Sequence, residues 1–294
     1  RKFKKGFWLV RHMGFGALYA LLTRWVYEPI TVKCNGVKVN ATPYLLRWLL
    51  YAVELGYVRG FRCENGEFVI VNVRGNKVRV KYYTADYYIN GFRFKSLGFT
   101  FIDIFLREDY YDVDVKDRVV VDVGAYVGDS AIYFALKGAK RVIAIEPHPG
   151  AFSEMLDNIK LNNMESVIMP VNAGLASKPG RVCIEGDTSK IAVTYFKLGD
   201  CSITVPAVTL SGLINVFHID PSEAVLKMDC EGCEFDVVLN DYEHVRLFRE
   251  VVLEYHGDPM VLLNMLRNDF ECELCRLGSS VGLIHCRHRG RSLR

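Results

Sequence analysis

The stretch LKMDCEGCEFDVVL, from Leu226 to Leu239, places three acids, two cysteines and one glycine in the six positions from Asp229 to Glu234. Three kinds of chemistry could use such a set. A redox Cys-x-x-Cys needs a thiolate; Cys230 and Cys233 have the spacing, but the surrounding Asp229, Glu231 and Glu234 oppose its formation. A metal site made from these cysteines and carboxylates mixes soft and hard ligands and has no histidine nearby in sequence. Carboxylates at the mouth of an active site can instead orient a ligand or accept a hydroxyl proton. On that reading Asp229 orients cofactor or acceptor and Glu231 is the base. Lys227 points the same way along the strand as Asp229 and keeps the acids ionised, Glu234 caps the next helix, and no metal is assigned.

A second pair, Glu254 and His256, ends the run REVVLEYH, where strand alternation puts both side chains on one face. The histidine is a candidate general base. Earlier in the chain, Asp122-Val-Gly124-Ala125-Tyr126-Val-Gly128 follows an almost continuous β-branched run. Glycines at 124 and 128 allow a turn and bring backbone N–H groups close to a ligand, and Asp129 or Ser130 can cap the helix that follows. Glu146 lies 22 residues after Gly124 at the end of RVIAIE, where an acid can accept hydrogen bonds from two ribose hydroxyls. Asn172 either reads the adenine edge or is a turn residue. Tyr126 interrupts the dinucleotide pattern Gly-x-Gly-x-x-Gly and there is no Walker lysine, so a pyrophosphate is disfavoured. Asp122 would repel a diphosphate and welcome an ammonium group, which favours S-adenosylmethionine over NAD.

The elements that position these residues follow from pattern. RVVVDV, RVIAIE, SVIMPVNAG, VLKMD and REVVLEYH read as strands, with helical periods after the first, second and fifth. Such alternation predicts an α/β, doubly wound, mostly parallel sheet, and the closing FECELCRL and LIHCRH predict an antiparallel strand at one edge. Residues 1–100 read as an N-terminal accessory α+β region and 101–294 as the sheet domain. Within the former, Thr42-Pro43 opens a helix, and EFVIVNV and KVRVKYY form a hairpin around Arg74-Gly75-Asn76. The aromatic segment YYTADYYINGFRF could serve as core, sugar platform or nucleic-acid face.

With 294 residues, half of them hydrophobic, the chain can bury a full core, and its net charge of +3 is too small to dictate a polyanionic partner. The basic ends RKFKK and RHRGRSLR are expected to be solvated termini. Phe7 to Tyr27 is apolar but broken by Arg11, His12 and Arg24; it reads as an amphipathic helix packing on its own protein, with peripheral membrane contact as the minority role. No secretory signal is visible, so a cytoplasmic location is expected, with the nine cysteines mostly buried thiols. The absence of glutamine and the wealth of Lys, Arg, Glu and Val suggest a hot environment, where intracellular disulfides also occur. The cysteines CELC and HCRH resemble zinc ligand pairs, yet Cys272 and Cys275 on one strand point to opposite faces, so zinc is not assigned.

VVVDVGAYVGDSAIYFALKGAKRVIAIEPHP, NIKLNN, VNAGLAS, LKMDCEGCEFDVVL and VVLEYHG occur in an order that resembles the FkbM-like family of class I S-adenosylmethionine-dependent methyltransferases, over about Phe101 to His256. The resemblance implies the seven-strand Rossmann-like methyltransferase sheet and methyl transfer, often to a hydroxyl of a sugar or natural product. It carries Asp122, Gly124, Gly128 and Glu146 to the cofactor and Lys227, Asp229, Glu231 and Glu234 to a signature loop. Tyr126 replaces a common Asn, and Cys233 a common Ala, as though it were an enlarged alanine. The expected acceptor is a small molecule, carbohydrate or glycolipid. RNA methylation and a catalytically inactive nucleoside-binding scaffold are the alternatives, with an NAD oxidoreductase more remote.

Overall fold

The computed structural model describes residues 11–12, 28–98, 100–184, 203–276 and 280–290. The amphipathic stretch expected over Phe7 to Tyr27 therefore lies, but for Arg11 and His12, outside the described residues, as do RKFKK and the last four residues. The chain divides into two compact units, residues 1–108 and 109–294.

In the first unit, β1 (Ile30–Cys34) pairs antiparallel with β2 (Val37–Ala41) ahead of helix α1 (Pro43–Glu54). Thr42 caps α1 by accepting from the Leu45 amide, and Pro43 sits where a missing N–H costs nothing. An antiparallel meander follows: β3 (Val58–Glu64), β4 (Glu67–Asn72), β5 (Lys77–Tyr83), β6 (Asp86–Ile89) and β7 (Phe92–Phe94). The expected hairpin is β4–β5. The aromatic segment forms the end of this sheet, with the Tyr82 and Tyr87 rings 5.1 Å apart and the buried Tyr87 hydroxyl 2.9 Å from Thr42 Oγ1.

The second unit is a sheet layered with helices. Its strands are β8 (Val119–Val123), β9 (Arg141–Ile145), β10 (Ile168–Val171), β14 (Val225–Met228), β15 (Glu250–His256), β16 (Phe270–Arg276) and β17 (Val281–His288). They lie in the order β10-β9-β8-β14-β15-β17-β16. The connecting helices are α2 (Asp129–Leu136), α3 (Pro149–Leu161), α4 (Leu210–Val216), α5 (Cys233–Asn240), α6 (Tyr242–Val245) and α7 (Pro259–Leu266). A small separate sheet of β11 (Gly174–Leu175), β12 (Gly180–Cys183) and β13 (Thr204–Val208) occupies the excursion before α4.

The first five strands of the main sheet run parallel, and β17 runs antiparallel to both of its neighbours. The antiparallel strand is thus internal, which corrects the expectation of one at the edge. The crossover through α7 carries the chain one position past β15's neighbour site to the edge, and β17 turns back into the gap, where both of its sides are hydrogen-bonded. The chain moves outward from β8 to β10 and then returns to β14 beside β8. The switch point between β8 and β14 is where such sheets open a crevice for ligands.

The cysteines correct a second expectation. Disulfides join Cys34 to Cys63, Cys230 to Cys233 and Cys272 to Cys286, and Cys183 is also disulfide-bonded. Among the described cysteines only Cys275 is free, and it is exposed. The reading of thiols as small buried hydrophobes gives way to the disulfide alternative. Cys272 and Cys286 face each other across β16 and β17, so neither is left for zinc. No helix among the described residues is long and apolar enough to cross a membrane.

Candidate active site at the carboxyl ends of the central strands

Four loops meet at the switch point, after β8, β9, β14 and β15. The loop after β8 is pinned from two sides. Gly124 (φ +72°) and Ala125 both donate to the Ile145 carbonyl at 3.0 Å. A Cβ on Gly124 would stand 1.7 Å from the Asp229 carbonyl oxygen, so only glycine lets the β8 and β14 loops approach this closely. Gly128 (φ +83°) precedes α2 and faces Met155, whose Cγ would lie 2.9 Å from an added Cβ.

Asp122 and Lys227 stand opposite each other in the β8–β14 register. Both are essentially without exposed surface, and Lys227 Nζ lies 2.9 Å from Asp122 Oδ1. Ser130 donates its hydroxyl to Asp122 Oδ2 at 2.7 Å, while Lys227 also donates to the carbonyls of Gly124 at 2.8 Å and Val123 at 3.2 Å. Burial works against the lysine's charge, but Asp122, Asp229 and Asp129 together raise its pKa. In this arrangement Asp122 is held by Lys227 and Ser130, and Lys227 ties the loop carbonyls from within.

Glu146 stands at the tip of β9. Its Oε1 accepts from the His148 amide at 2.7 Å and its Oε2 from the Tyr126 amide at 2.9 Å. Each oxygen keeps further acceptor capacity, suited to two vicinal hydroxyls. Burial pushes its pKa up to about 7, against the two amide bonds and Lys227. His148, whose own pKa burial lowers, caps α3 by accepting from the Ala151 amide at 3.2 Å. Tyr126 adopts a left-handed backbone (φ +50°) to present its amide. Asn172 donates its amide to the Glu146 and Pro147 carbonyls at 2.9 and 3.3 Å. This donor group latches the β9 and β10 loops together.

A second cluster gathers at the ends of β14 and β15. Asp229 and Glu231 are half-buried, and His256 comes up from β15 to join them; one ligand atom from each lies within 4.8 Å of the others. His256 Nε2 is 3.2 Å from Glu231 Oε2 and 3.5 Å from Glu254 Oε1. Its Nδ1 is 3.1 Å from Glu234 Oε1, an oxygen that also accepts the His256 amide at 3.0 Å. Glu234 has no exposed surface, and its Oε2 accepts the Gly232 amide ahead of α5 at 2.9 Å. It therefore does more than cap a helix: it sets the orientation of His256. Glu254 is also ion-paired with Arg276 of β16.

Charge is unbalanced here. Burial first, then Glu231 and Glu234, push the Asp229 pKa up to about 6, with Lys227 and His256 opposing. Glu231 is raised chiefly by burial. For His256 burial opposes the charge, but the Glu234 bond and the charges of Glu231, Glu234 and Asp229 lift its pKa above the ordinary value. Carboxylates with raised pKa beside a fixed imidazole can exchange a proton with a bound hydroxyl. Asp229, Glu231 and His256 also form a donor set able to hold a divalent cation. Sequence adjacency did not show this, because the histidine arrives from a different strand. The sequence reading also missed Glu234 and Arg276 as partners of the β15 pair, and Ser130 as the partner of Asp122.

Comparisons with known proteins bear on the family of this chain. The methyltransferase FkbM domain model matches residues 122–272, more than half of the chain. The chain is 26% identical over 168 residues to methyltransferase sdnD of Sordaria araneosa, an alignment covering 46% of this chain and 65% of that protein, just under two thirds of its length. It is 25% identical over 162 residues to the uncharacterized protein 158B of Sulfolobus islandicus rod-shaped virus 1, covering 54% and 73%. Among solved structures, Aeropyrum pernix fibrillarin with natively bound S-adenosyl-L-methionine aligns with a TM-score of 0.38 and 14% identity over 78% of this chain and 98% of that one. The chain belongs to the methyltransferase FkbM domain family.

Proposed function

We propose that the protein transfers a methyl group from S-adenosylmethionine to a hydroxyl of a carbohydrate, glycolipid or related small molecule. The observation that carries the choice of a hydroxyl is the Asp229–Glu231–His256 cluster beside the β8 loop. A hydroxyl must lose a proton as it accepts methyl, and this cluster has a base for it. Bound S-adenosylmethionine supplies an electrophilic methyl on an already activated leaving group, so the protein's task is alignment and proton removal.

Glu146 would hold the ribose hydroxyls, with the backbone of Gly124, Ala125, Tyr126 and Gly128 lining the same cradle. Lys227 and Asp122 keep that loop in place. Asp229, whose carboxylate accepts no hydrogen bond among the described residues, is oriented to engage the acceptor or the donor's polar groups. Glu231 takes the hydroxyl proton, and His256, held by Glu234, balances its charge. A screen of radiolabelled methyl transfer against glycan, lipid and RNA fractions tests the reading. Label in the glycan or glycolipid fraction supports it, label confined to RNA replaces it with RNA methylation, and cofactor binding without transfer to any fraction favours a scaffold.

A further inference from the structure

The Cys230–Cys233 bridge has no part in the chemistry above, yet it closes around that chemistry's centre. It spans Glu231 and Gly232, which both have positive φ (+55° and +117°). Such a conformation is unfavourable for a residue with a side chain and persists only when its surroundings impose it. Cys233 is 1% exposed and belongs to the core under the sheet, whereas Cys230 is half-buried and packs against that core. One sulfur is thus anchored and the other is tied to it. Opening the bridge leaves the Glu231 carboxylate with its ion pair to His256 as the contact that keeps it in place.

We propose that the Cys230–Cys233 disulfide is a positioning device: it holds the Glu231 carboxylate against His256, and opening it releases Glu231 while leaving the donor cradle intact. The catalytic meaning of this rests on the reading of Glu231 as the base. The cradle contacts of Glu146 with Tyr126 and His148, and of Lys227 with Asp122, involve neither bridged residue. A dithiol is the co-reactant that opens the bridge. Its thiolate attacks the half-buried Cys230 sulfur, the S–S bond breaks, and Cys233 leaves as a thiolate that takes a proton from solvent. The second thiol of the reductant then displaces Cys230, closing the reductant's own disulfide and completing a two-electron reduction.

His256 reports the position of Glu231 without any acceptor being known. It is faced by Asp229, Glu231 and Glu234, and on its own strand by Glu254, which Arg276 engages from β16. The test is an NMR titration of the full chain labelled with ¹⁵N-histidine, the His256 signal being identified by its loss in His256→Gln. Three samples are compared: the oxidised chain, the chain treated with dithiothreitol, and the Cys230→Ala/Cys233→Ala variant. S-adenosylhomocysteine affinity is measured calorimetrically on each.

Loss of the bridge by either route should move the His256 titration to lower pH, because Glu231 no longer supports the imidazolium, while affinity changes by less than about twofold. Dithiothreitol should move His256 no further in the variant, which separates this bridge from the other disulfides. An unchanged His256 titration, or an affinity that collapses together with it, overturns the proposal. If the double variant fails to fold, Cys230→Ser, which removes this bridge and no other, takes its place in the comparison. A His256 shift in a chain that never binds S-adenosylhomocysteine would uphold the positioning role and strike the methyl-transfer reading.

Discussion

At the end of β8 Asp122 meets Lys227 at 2.9 Å and Ser130 at 2.7 Å and exposes no surface, whereas past β14 Glu231 and Glu234 share the His256 imidazole, and Asp229 and Glu231 stay partly open. The two sites are the ends of adjacent strands, β8 and β14, and draw on the same residue types. In the first the buried Lys227 offsets the buried Asp122, and its groups serve to fix backbone: the Gly124 carbonyl, the Tyr126 amide, the approach of two loops. The second leaves negative charge in excess, so its protonation states lie close together and can change when a hydroxyl binds. A buried, balanced pair can fix a loop; a crowded, unbalanced cluster can exchange protons.

The sharpest way to break this contrast is to unbalance the cradle. Lys227→Met leaves Asp122 buried without its partner and should cost about 3–5 kcal/mol of folding stability, read by denaturant unfolding, and adding Asp122→Leu should restore part of it. A Lys227→Met chain as stable as the original would mean the pair has no structural role. Glu231→Gln should do the opposite: stability and S-adenosylhomocysteine affinity hold, while methyl transfer falls by roughly a hundredfold or more. Unchanged turnover would remove Glu231 as the base.

Acidity sharpens the comparison further. The Glu146 pKa stands near 7 in the free protein, and the ribose hydroxyls are best received by its ionised form. Binding should therefore weaken as pH falls below about 7, by up to about tenfold per unit, and the dependence should persist in Asp229→Asn. A calorimetric series from pH 8 to pH 5.5, limits chosen to bracket roughly one unit or more on either side of that value, would show it; a flat profile would take Glu146 out of the cofactor contacts. The smallest effect belongs to the Asn172 latch. Asn172→Ala should lower stability by about 1 kcal/mol and leave the acceptor chemistry untouched, as thermal unfolding and single-turnover assays would show.

The parallel strands were legible because a strand buried on both faces must be apolar nearly throughout, and RVVVDV, RVIAIE and VLKMD are. Gly124 and Gly128 were legible because a tight loop demands them. What stayed hidden was pairing across the sheet. Lys227 in VLKM looks like a residue bound for solvent or ligand until the β8 register puts Asp122 opposite it. Glu234 reads as a cap in its own segment, and nothing local shows that β15 delivers His256 to it. The cysteines were ambiguous for the same reason: Cys272 and Cys286 become partners only once β16 and β17 pair. Residue type and spacing marked the site's acids, and strand order decided which of them are tied down.

The central claim, that the loops after β8 and β9 form a nucleoside cradle beside a separate proton-handling cluster, is tested most directly by calorimetric titration of the oxidised full chain with S-adenosylhomocysteine at pH 8, about one unit above the pKa of Glu146. The account predicts saturable binding at one site per chain, lost in Glu146→Ala and kept in Glu231→Gln. No heat of binding from a folded, ligand-free chain, or equal loss of binding in both variants, would contradict it.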